Sequence, residues 1–245
     1  MKALLVRIGV DQAYGGWNAP VDAEGKFVYV PIPEPDGMTF RVGLERRYGE
    51  VLPALNRFCA AHQCDLCDGL GFPQSLLRLS MHLDPDFECL TYGDDGARRG
   101  AQMADMSEDD VIVFYGGFRP VHDCEHTLIY GLVGLYVVQE VMPIKQVARG
   151  QWYANAHARK AKTGASDIVV RAKAGESGRF DRCIPIGEWR QRAYRVKRDV
   201  LEAWGGLSVT DGYIQRSAVP PRFNKPEQFL AWLDQQGVEL LPRNN

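Results

Sequence analysis

The 245-residue sequence is 45% hydrophobic and 24% charged with a net charge of −2, a composition typical of a globular protein that can bury a sizeable core. Its six cysteines are scattered, and its longest apolar run, Leu128–Val138, is far shorter than the roughly 18 residues of a membrane span. These features exclude a secreted disulfide scaffold and a membrane-spanning protein. With no signal-peptide pattern in MKALLVRIGVDQ, they predict a cytoplasmic protein with reduced thiols.

Charge is distributed unevenly along the chain. Residues 1–144 carry 11 Lys/Arg and 21 Asp/Glu, a balance of −10, whereas residues 145–198 carry 14 and 4, a balance of +10. Aromatic residues interleave with the basic ones, which is what a polyanion-binding segment requires. The alternative is that these cations pair with the acidic N-terminal part. The length suits a single domain of residues 1–245, or two intimate lobes, an acidic one (1–144) and a basic and C-terminal helical one (145–245).

Taken in chain order, the first part predicts two strands and an interrupted helix. Ala3–Ile8 is apolar and β-branched enough for a buried strand, and KFVYVPIPEP predicts a second strand that its prolines end. MTFRVGLERRYGEVLPALNRFCAAH has apolar residues at helical spacing, and Pro53 within it predicts a break near Val51.

The middle of the chain predicts two antiparallel strands around a polar loop. Val111–Tyr115 and Ile129–Val138 are apolar and rich in β-favouring residues, so we expect them to pair in one bent sheet with residues 116–128 outside it. The connection concentrates ionisable side chains, namely Arg119, His122, Asp123, Cys124, Glu125 and His126.

The last part predicts a strand at Asp167–Ala174, a helix near Trp189–Trp204 that two glycines end, and a C-terminal helix that Asn224 caps, with Pro226 in its first turn. The order of elements favours a mixed α/β, or α+β, fold. We expect a strongly bent, partly antiparallel sheet with flanking helices.

One group of possible metal ligands is Cys59, His62, Cys64 and Cys67. Cys-x2-Cys is the local half of many zinc sites. Four ligands within nine residues are cramped for one tetrahedral ion, and a buried thiol at the end of an apolar helix explains Cys59 equally well.

A second group is His122 and His126, with Asp123 or Glu125 nearby. These are the residue types of a two-histidine, one-carboxylate iron site. A loop does not fix the direction of residues four apart, and exposed polar residues are normal in loops, so both readings stay open.

The stretch MHLDPDFECL places His82 beside Asp84 and Asp86. The intervening proline predicts an extended or turn conformation at Asp84, which lets the two carboxylates converge. Convergent carboxylates beside a histidine suit general acid–base catalysis or a divalent cation. The alternative is an Asx turn followed by proline.

The stretch RIGVDQAYGGWNAP contains adjacent glycines, Gly15 and Gly16, between two predicted strands. Glycines there allow a phosphate or carboxylate to approach backbone amides closely. The stretch matches neither a dinucleotide-binding fingerprint nor a Walker loop, and the sequence assigns no cofactor.

Several of these stretches occur in an order that resembles the third nucleotide modification associated domain family. The likeness rests on VRIGVDQAYGGWNAPVDAEGKFVYVPIPE, HLDPDF, VIVFYGGFR, IYGLVGLYVV and, less distinctively, SGRFDRCIPI, and it spans the chain from Lys2 to about Pro221. Members are linked to modifying or handling DNA nucleobases in phage and bacterial settings. The resemblance implies a nucleotide-type ligand more firmly than it implies a reaction.

By position, the resemblance implies functional roles for eight residues. It points to Arg7, Asp11, Gly15 and Gly16 for substrate phosphate or sugar, to His82, Asp84 and Asp86 as catalytic acid–base groups, and to Arg119 for phosphate or base contact. His122, His126, Cys64 and Cys67 are not part of this pattern.

The paired strands are also similar to the barrel strands of PUA-like readers of modified bases, in which aromatic residues line a pocket for a flipped base. Tyr115, Phe118, Tyr130 and Tyr136 suit such a pocket, or they fill a core. The sequence therefore predicts a protein that binds a nucleotide or DNA and acts on a nucleobase. The alternative is a non-catalytic PUA-like reader of modified nucleic acid.

Overall fold

Strands form most of the regular structure in the protein, which a computed structural model describes over residues 1–62, 71–97, 100–215 and 219–245. The strands are β1 (Ala3–Arg7), β2 (Pro20–Val21), β3 (Ile32–Pro33), β4 (Met81–His82), β5 (Thr91–Asp94), β6 (Val111–Pro120), β7 (Ile129–Pro143), β8 (Ile168–Ala172), β9 (Gly178–Pro185), β10 (Gly187–Arg190), β11 (Ala193–Val196) and β12 (Leu240–Leu241).

The helices are short and lie at the edges and faces of the sheet. They are α1 (Leu52–His62), α2 (Ala101–Ala104), α3 (Ala156–Arg159), α4 (Arg198–Ala203) and α5 (Pro226–Asp234). Single 3₁₀ turns or pairs of turns occur at Tyr48–Glu50, Leu76–Arg78, Ile144–Gln146, Arg149–Ala154 and Thr210–Gly212.

The largest sheet in the described part of the chain has eight strands and mixed pairing. Strands run in the order β1-β6-β7-β8-β5, with β1 parallel to β6 and the other neighbours antiparallel. In addition β2 pairs with the end of β6, and β9 joins β7 to β12. The fold is therefore the predicted mixed type with a partly antiparallel sheet.

The long strand β7 organises this sheet by pairing with three others. Residues 129–137 pair with β6, residues 131–135 with β9 and residues 138–143 with β8. Each of the three pairings contains one register shift. Bulges of this kind bend a strand. At Gly131 a Cβ would lie 2.1 Å from the sulfur of Cys183, so this crossing requires glycine.

Both faces of the sheet are buried, which explains why β1 is apolar throughout rather than alternating. Leu4 and Val6 enter one core with Phe114, whereas Ala3 and Leu5 enter a second core with Trp204. Successive strand residues point to opposite faces, so a strand covered on both sides is apolar at every position. Helix α1 and residues 17–30 cover the first face, and α4 and α5 cover the second.

Two predicted elements are confirmed in the main. Strands β6 and β7 pair antiparallel as expected, but β6 continues through Gly116–Pro120, so the intervening loop is residues 121–128 and not 116–128. The C-terminal helix forms with Pro226 in its first turn as predicted, but it begins at Pro226 with Lys225 rather than Asn224 at its N-cap.

Two other predicted elements are wrong over part of their length. The region Trp189–Trp204 is mostly the hairpin β10–β11, with a helix only at Arg198–Ala203, because Gln191 and Arg192 both adopt positive φ and make a tight turn. The segment KFVYVPIPEP forms a ladder only at Ile32–Pro33. Before it, Phe27 makes an isolated bridge to Val21.

Of the predicted interrupted helix only the part after Val51 forms, since α1 begins at Leu52 after a 3₁₀ turn at Tyr48–Glu50, and the helical prediction for residues 38–47 is wrong. No closed barrel is found among the described residues, so PUA-like barrel character stays a prediction. Tyr115, Phe118, Tyr130 and Tyr136 are all buried in the two cores and so fill them. Over the residues described, no helix has both the length and the apolar character to cross a membrane.

Candidate functional site

A cavity of about 800 Å³ opens beside the carboxyl end of β1. Strand β1, the turn that follows it, β4 and β5 supply most of its wall, and α3 closes one end. Its ionisable lining residues are Arg7, Asp11, His82, Asp84, Asp94, Asp95 and His157. Carboxylates outnumber the arginine four to one, and we call this space the acidic cavity.

Three of these residues form a compact group, the histidine–carboxylate cluster: His82, Asp84 and His157. The Nε2 atoms of His82 and His157 lie 3.6 Å and 3.8 Å from Asp84 Oδ2. The two imidazole rings are 5.1 Å apart at 70°. Among the described residues, this is the group in which three possible metal-ligating side chains come within 4.8 Å of one another.

Backbone contacts hold Asp84 in place. The amide of Gly93 on β5 donates to both of its carboxylate oxygens, at 3.0 and 2.8 Å. The side-chain amide of Asn155 lies 3.5 Å from Oδ1. The carboxylate is almost wholly buried, so these donors and the two imidazoles are what compensate its charge.

His157 reaches the cluster from a different part of the chain. Asn155 caps α3 by accepting a hydrogen bond from the His157 backbone N–H at 2.9 Å, which fixes the start of the helix that carries this imidazole. A Cβ on Gly93 would lie 2.5 Å from His157 Cδ2, so the ring packs where only glycine leaves room. Sequence reasoning missed His157 as a site residue. Its one local signal is an Asn–Ala–His capping pattern.

Each histidine of the cluster has a carboxylate on its far side. His82 Nδ1 lies 2.7 Å from Glu34 Oε1, and His157 Nδ1 lies 3.5 Å from Asp167 Oδ2. The Nδ1 atom of His157 is buried and makes no hydrogen bond in this geometry. Glu34 also lies 3.4 Å from Lys160 Nζ. Neither Glu34 nor Asp167 was predicted from the sequence.

The surroundings shift the ionisation of this group. Burial lowers the pKa of His82, but the carboxylates of Asp84 and Glu34 raise it more, to about 9. Burial raises the pKa of Glu34, while His82 and Lys160 lower it more, so the pKa falls below its ordinary value. Burial raises the pKa of Asp94, on the cavity wall, to about 6. His82 without a metal is therefore an imidazolium between two carboxylates.

Arg7 and Asp11 form the opposite wall. The Arg7 guanidinium contacts the Asp11 carboxylate, the Tyr130 hydroxyl and the carbonyl of Gln215. Asp11 also accepts hydrogen bonds from the backbone amides of Ala13 and Tyr14. The turn closes at Gly15 and Gly16, which adopt φ of 102° and 68°. Of the first predicted block, Arg7 and Asp11 thus line the cavity, with Arg7 already bound by other groups of the protein, whereas Gly15 and Gly16 are not among its lining residues.

Asp86 lies elsewhere, so the predicted convergence of Asp84 and Asp86 is wrong. Its carboxylate pairs with the buried guanidinium of Arg159 at 2.6 Å and accepts from the Asn244 side chain at 3.1 Å. It does not line the acidic cavity. Asp84 and Asp86, on either side of Pro85, therefore contact different groups. The buried ion pair of Asp86 indicates a role in stabilising the fold.

Arg119 and Tyr115 are also outside the acidic cavity. Arg119 is at the end of β6, where its backbone N–H donates to Ala19 at 2.8 Å and it pairs with Pro20 of β2. Tyr115 is buried in the second core and donates its hydroxyl to the carbonyl of Ile214. The expectation of one cleft shared by Arg119, Asp84 and Asp86 is therefore wrong.

His122 and His126 are on the loop of residues 121–128, and neither belongs to a three-ligand group within the described residues. Cys64 and Cys67 lie outside the described residues. Metal binding by either predicted group remains a prediction.

The basic segment 145–198 is largely paired within the protein. Four of its cations, Arg159, Lys160, Arg171 and Lys173, contact acidic residues of the 1–144 part. Three more pair with acids outside the 1–144 part: Arg182 with Asp181, Arg190 with Glu188 and Asp211, and Arg195 with Asp211. Pairing with the acidic N-terminal part, the alternative that the sequence left open, therefore accounts for four of the 14 basic residues, and pairing anywhere in the described part of the chain accounts for seven.

Comparison with known protein families identifies a match over most of the chain. The family model described as nucleotide modification associated domain 3 matches residues 2–209. Neither curated proteins nor solved structures yield a similar chain. The matched range contains both histidines and the carboxylate of the cluster, with Glu34 and Asp167.

Proposed function

The chain belongs to the nucleotide modification associated domain 3 family, and on that premise we propose that it is an enzyme that acts on a nucleobase or nucleotide held in the acidic cavity. The observation that carries this proposal is the convergence of His82, Asp84 and His157 on one wall of that cavity. Buried, perturbed ionisable groups at a cavity wall are characteristic of catalytic sites.

The size and lining of the cavity suit a base with its sugar. A volume of about 800 Å³ is within the range of small-molecule sites. Apolar side chains such as Leu5, Ile8 and Ile32 line it beside Tyr14, whose ring is half exposed. An exposed aromatic ring at a cavity wall is a surface on which a base can stack.

The negative charge of the cavity wall favours a nucleotide that buries its uncharged base in the cavity rather than its phosphate. Asp11, Asp94 and Asp95 line the space, and the one lining arginine already pairs with Asp11. A phosphate entering here would meet carboxylates in a low-dielectric wall, which is unfavourable. We therefore propose that the base enters and that any phosphate stays at the mouth, as in enzymes that extrude a base from the stack.

The test compares free nucleobases, nucleosides and nucleoside 5′-monophosphates by calorimetry with purified protein. We expect nucleosides to bind at least as tightly as the monophosphates. We also expect liquid chromatography–mass spectrometry of digested DNA to show an altered nucleoside after incubation with the wild type but not with His82→Gln. Absence of any nucleoside or nucleotide binding would contradict the proposal.

A matched pair of variants locates the binding. Tyr14→Ala removes the cavity ring, and loss of one base–aromatic stack of about 1–3 kcal/mol predicts a weakening of roughly 5- to 150-fold. Tyr153→Ala removes an equally exposed ring that does not line the cavity, and should bind normally. Equal effects of the two variants would place the ligand elsewhere.

The second candidate, a non-catalytic reader of modified nucleic acid, predicts a different result. Its recognition would rest on the surface cations of the basic segment that have no acidic partner within the described part of the chain. It would give salt-dependent DNA binding, with no altered nucleoside and no effect of His82→Gln.

A further inference from the structure

The histidine–carboxylate cluster has the arrangement of a metal centre, and we propose that His82, Asp84 and His157 bind one divalent transition-metal ion. Two imidazole nitrogens and one carboxylate oxygen are the ligand set of catalytic zinc sites and of non-haem iron sites. Imidazole ligands favour Fe²⁺, Co²⁺ or Zn²⁺ over Mg²⁺ and Ca²⁺, which prefer oxygen. The identity of the substrate that would reach this metal rests on the proposed function. The assignment of the metal site itself does not.

The distances fit this assignment. Nε2 of each histidine is just beyond hydrogen-bond range of Asp84 Oδ2, at 3.6 and 3.8 Å. Ligand atoms about 2.1 Å from a common ion lie roughly 3.0–3.4 Å apart, so small side-chain rotations bring the three onto one ion. Direct pairing of Asp84 with either ring would instead give a shorter contact.

The outer side of each ring supports the same assignment independently. Metal-ligating histidines nearly always donate their second ring N–H to a carboxylate or carbonyl, which directs the other nitrogen's lone pair at the metal. Glu34 occupies this position for His82, and Asp167 occupies it for His157. Two histidines that each lie between a shared inner carboxylate and a separate outer carboxylate are unusual for core packing.

The His157 ring carries a further indication. Its Nδ1 atom is buried without a hydrogen bond, although Asp167 Oδ2 is 3.5 Å away. Drawing Nε2 towards an ion would orient the ring, and a short movement of Asp167 would then satisfy Nδ1. Buried polar atoms without partners are rare, so this one points to a group that completes the site.

The site also leaves room for substrate. Three protein ligands leave one position open on a tetrahedral ion and three on an octahedral ion. His82, Asp84 and His157 all line the acidic cavity, so the open positions face it. A metal there would add positive charge beside Asp84, and it would bind a water or a base oxygen or nitrogen directly.

The test uses metal alone. Protein freed of metal with a chelator is titrated anaerobically with Co²⁺ or Zn²⁺, and we expect one equivalent to bind, without competition from millimolar Mg²⁺. His157→Gln and Asp84→Asn should weaken binding by more than about 100-fold, the upper end for loss of an outer partner. His126→Gln, on the exposed loop, should leave it unchanged.

A double variant separates this site from the other sequence candidate. Cys64→Ser with Cys67→Ser should retain the one equivalent. Loss of the metal in that variant and retention in His157→Gln would overturn the proposal, as would the absence of stoichiometric binding by the wild type.

If a ligand variant fails to fold, the wild type still decides the question. Proton NMR of the Co²⁺-loaded protein should show two strongly shifted, exchange-protected imidazole N–H signals, one for each ring held by an outer carboxylate. Bound Co²⁺ without these signals would overturn the assignment. If the protein binds nucleosides but no metal, the metal proposal is wrong and the proposed function is unaffected.

Discussion

Glu34 Oε1 lies 2.7 Å from Nδ1 of His82, and this contact determines which nitrogen of the imidazole faces the acidic cavity. A carboxylate at Nδ1 holds a proton on that nitrogen, so Nε2 is the nitrogen that would lose its proton and bind a metal on the cavity side. Glu34 is itself buried and paired with Lys160. The positioning of His82 therefore depends on a residue from a distant part of the sequence.

Replacement of this outer carboxylate tests its role. Glu34→Gln should weaken Co²⁺ binding about 10- to 100-fold, because the ring loses its orienting acceptor while all three ligands remain. Titration by absorbance measures the effect. Glu45→Gln is the matched control, since Glu45 is a half-exposed carboxylate that contacts Ser80 and Arg47. Equal losses in the two variants would argue against an orienting role.

Replacement of Gly93 tests the space that the cluster needs. In Gly93→Ala the new Cβ would lie 2.5 Å from His157 Cδ2, so the ring must move. We expect metal binding to weaken at least tenfold while circular dichroism stays native. Gly150→Ala adds the same methyl group where nothing lies within 4 Å, and should bind as the wild type does. Normal metal binding by Gly93→Ala would show that metal binding does not depend on the observed position of the His157 ring.

Asp86 should prove structural rather than catalytic. Asp86→Ala leaves the buried Arg159 guanidinium without its partner, which typically lowers the free energy of unfolding by about 3–5 kcal/mol. Urea denaturation measures this. Glu108→Ala breaks an exposed pair with Lys173 and should cost under about 1 kcal/mol. A stable Asp86→Ala protein that lacks activity would restore the catalytic assignment.

The ionisation of His82 predicts a pH dependence of stability in the absence of metal. Its pKa is raised in the folded state from 6.5 to about 9, so the folded state binds the proton more tightly than the unfolded state. This contribution is fully present below pH 6.5 and is lost as the pH rises through about 9. With a chelator present, the wild type should therefore lose stability over this range relative to His82→Gln, in urea titrations at several pH values. Parallel curves for the two proteins would mean that His82 is neutral.

Nucleic-acid binding outside the cavity should depend on cations such as Lys197 and Arg198, which form no ion pair within the described part of the chain. Lys197→Glu with Arg198→Glu should weaken binding to single-stranded DNA and reduce the log–log salt slope by roughly 0.7 for each phosphate that the variant no longer neutralises. Fluorescence anisotropy at several salt concentrations gives both quantities. Arg182→Glu alters a cation that already contacts Asp181 and two backbone carbonyls, and should have a smaller effect. Binding that does not change with salt would contradict the proposal.

The sequence by itself determined the local elements and one part of the site. Apolar, β-rich runs predicted the pairing of β6 with β7, and proline's fixed φ and missing N–H placed Pro53 and Pro226 in the first turns of α1 and α5 rather than in helix interiors. The block around His82 and Asp84 was recognisable because both residues lie within three positions of each other. These features depend on neighbours in the chain, and a sequence shows those directly.

The tertiary structure alone decided which distant groups complete the site. Glu34, His157 and Asp167 reach His82 and Asp84 only because β3 pairs with β4 and α3 packs at the end of β5. It likewise separated Asp84 from Asp86 and paired half of the basic segment within the protein. Whether a charged side chain binds a ligand, forms a structural ion pair or stays on the surface depends on its burial and on the distance to its partners. Both quantities exist only once the chain has folded.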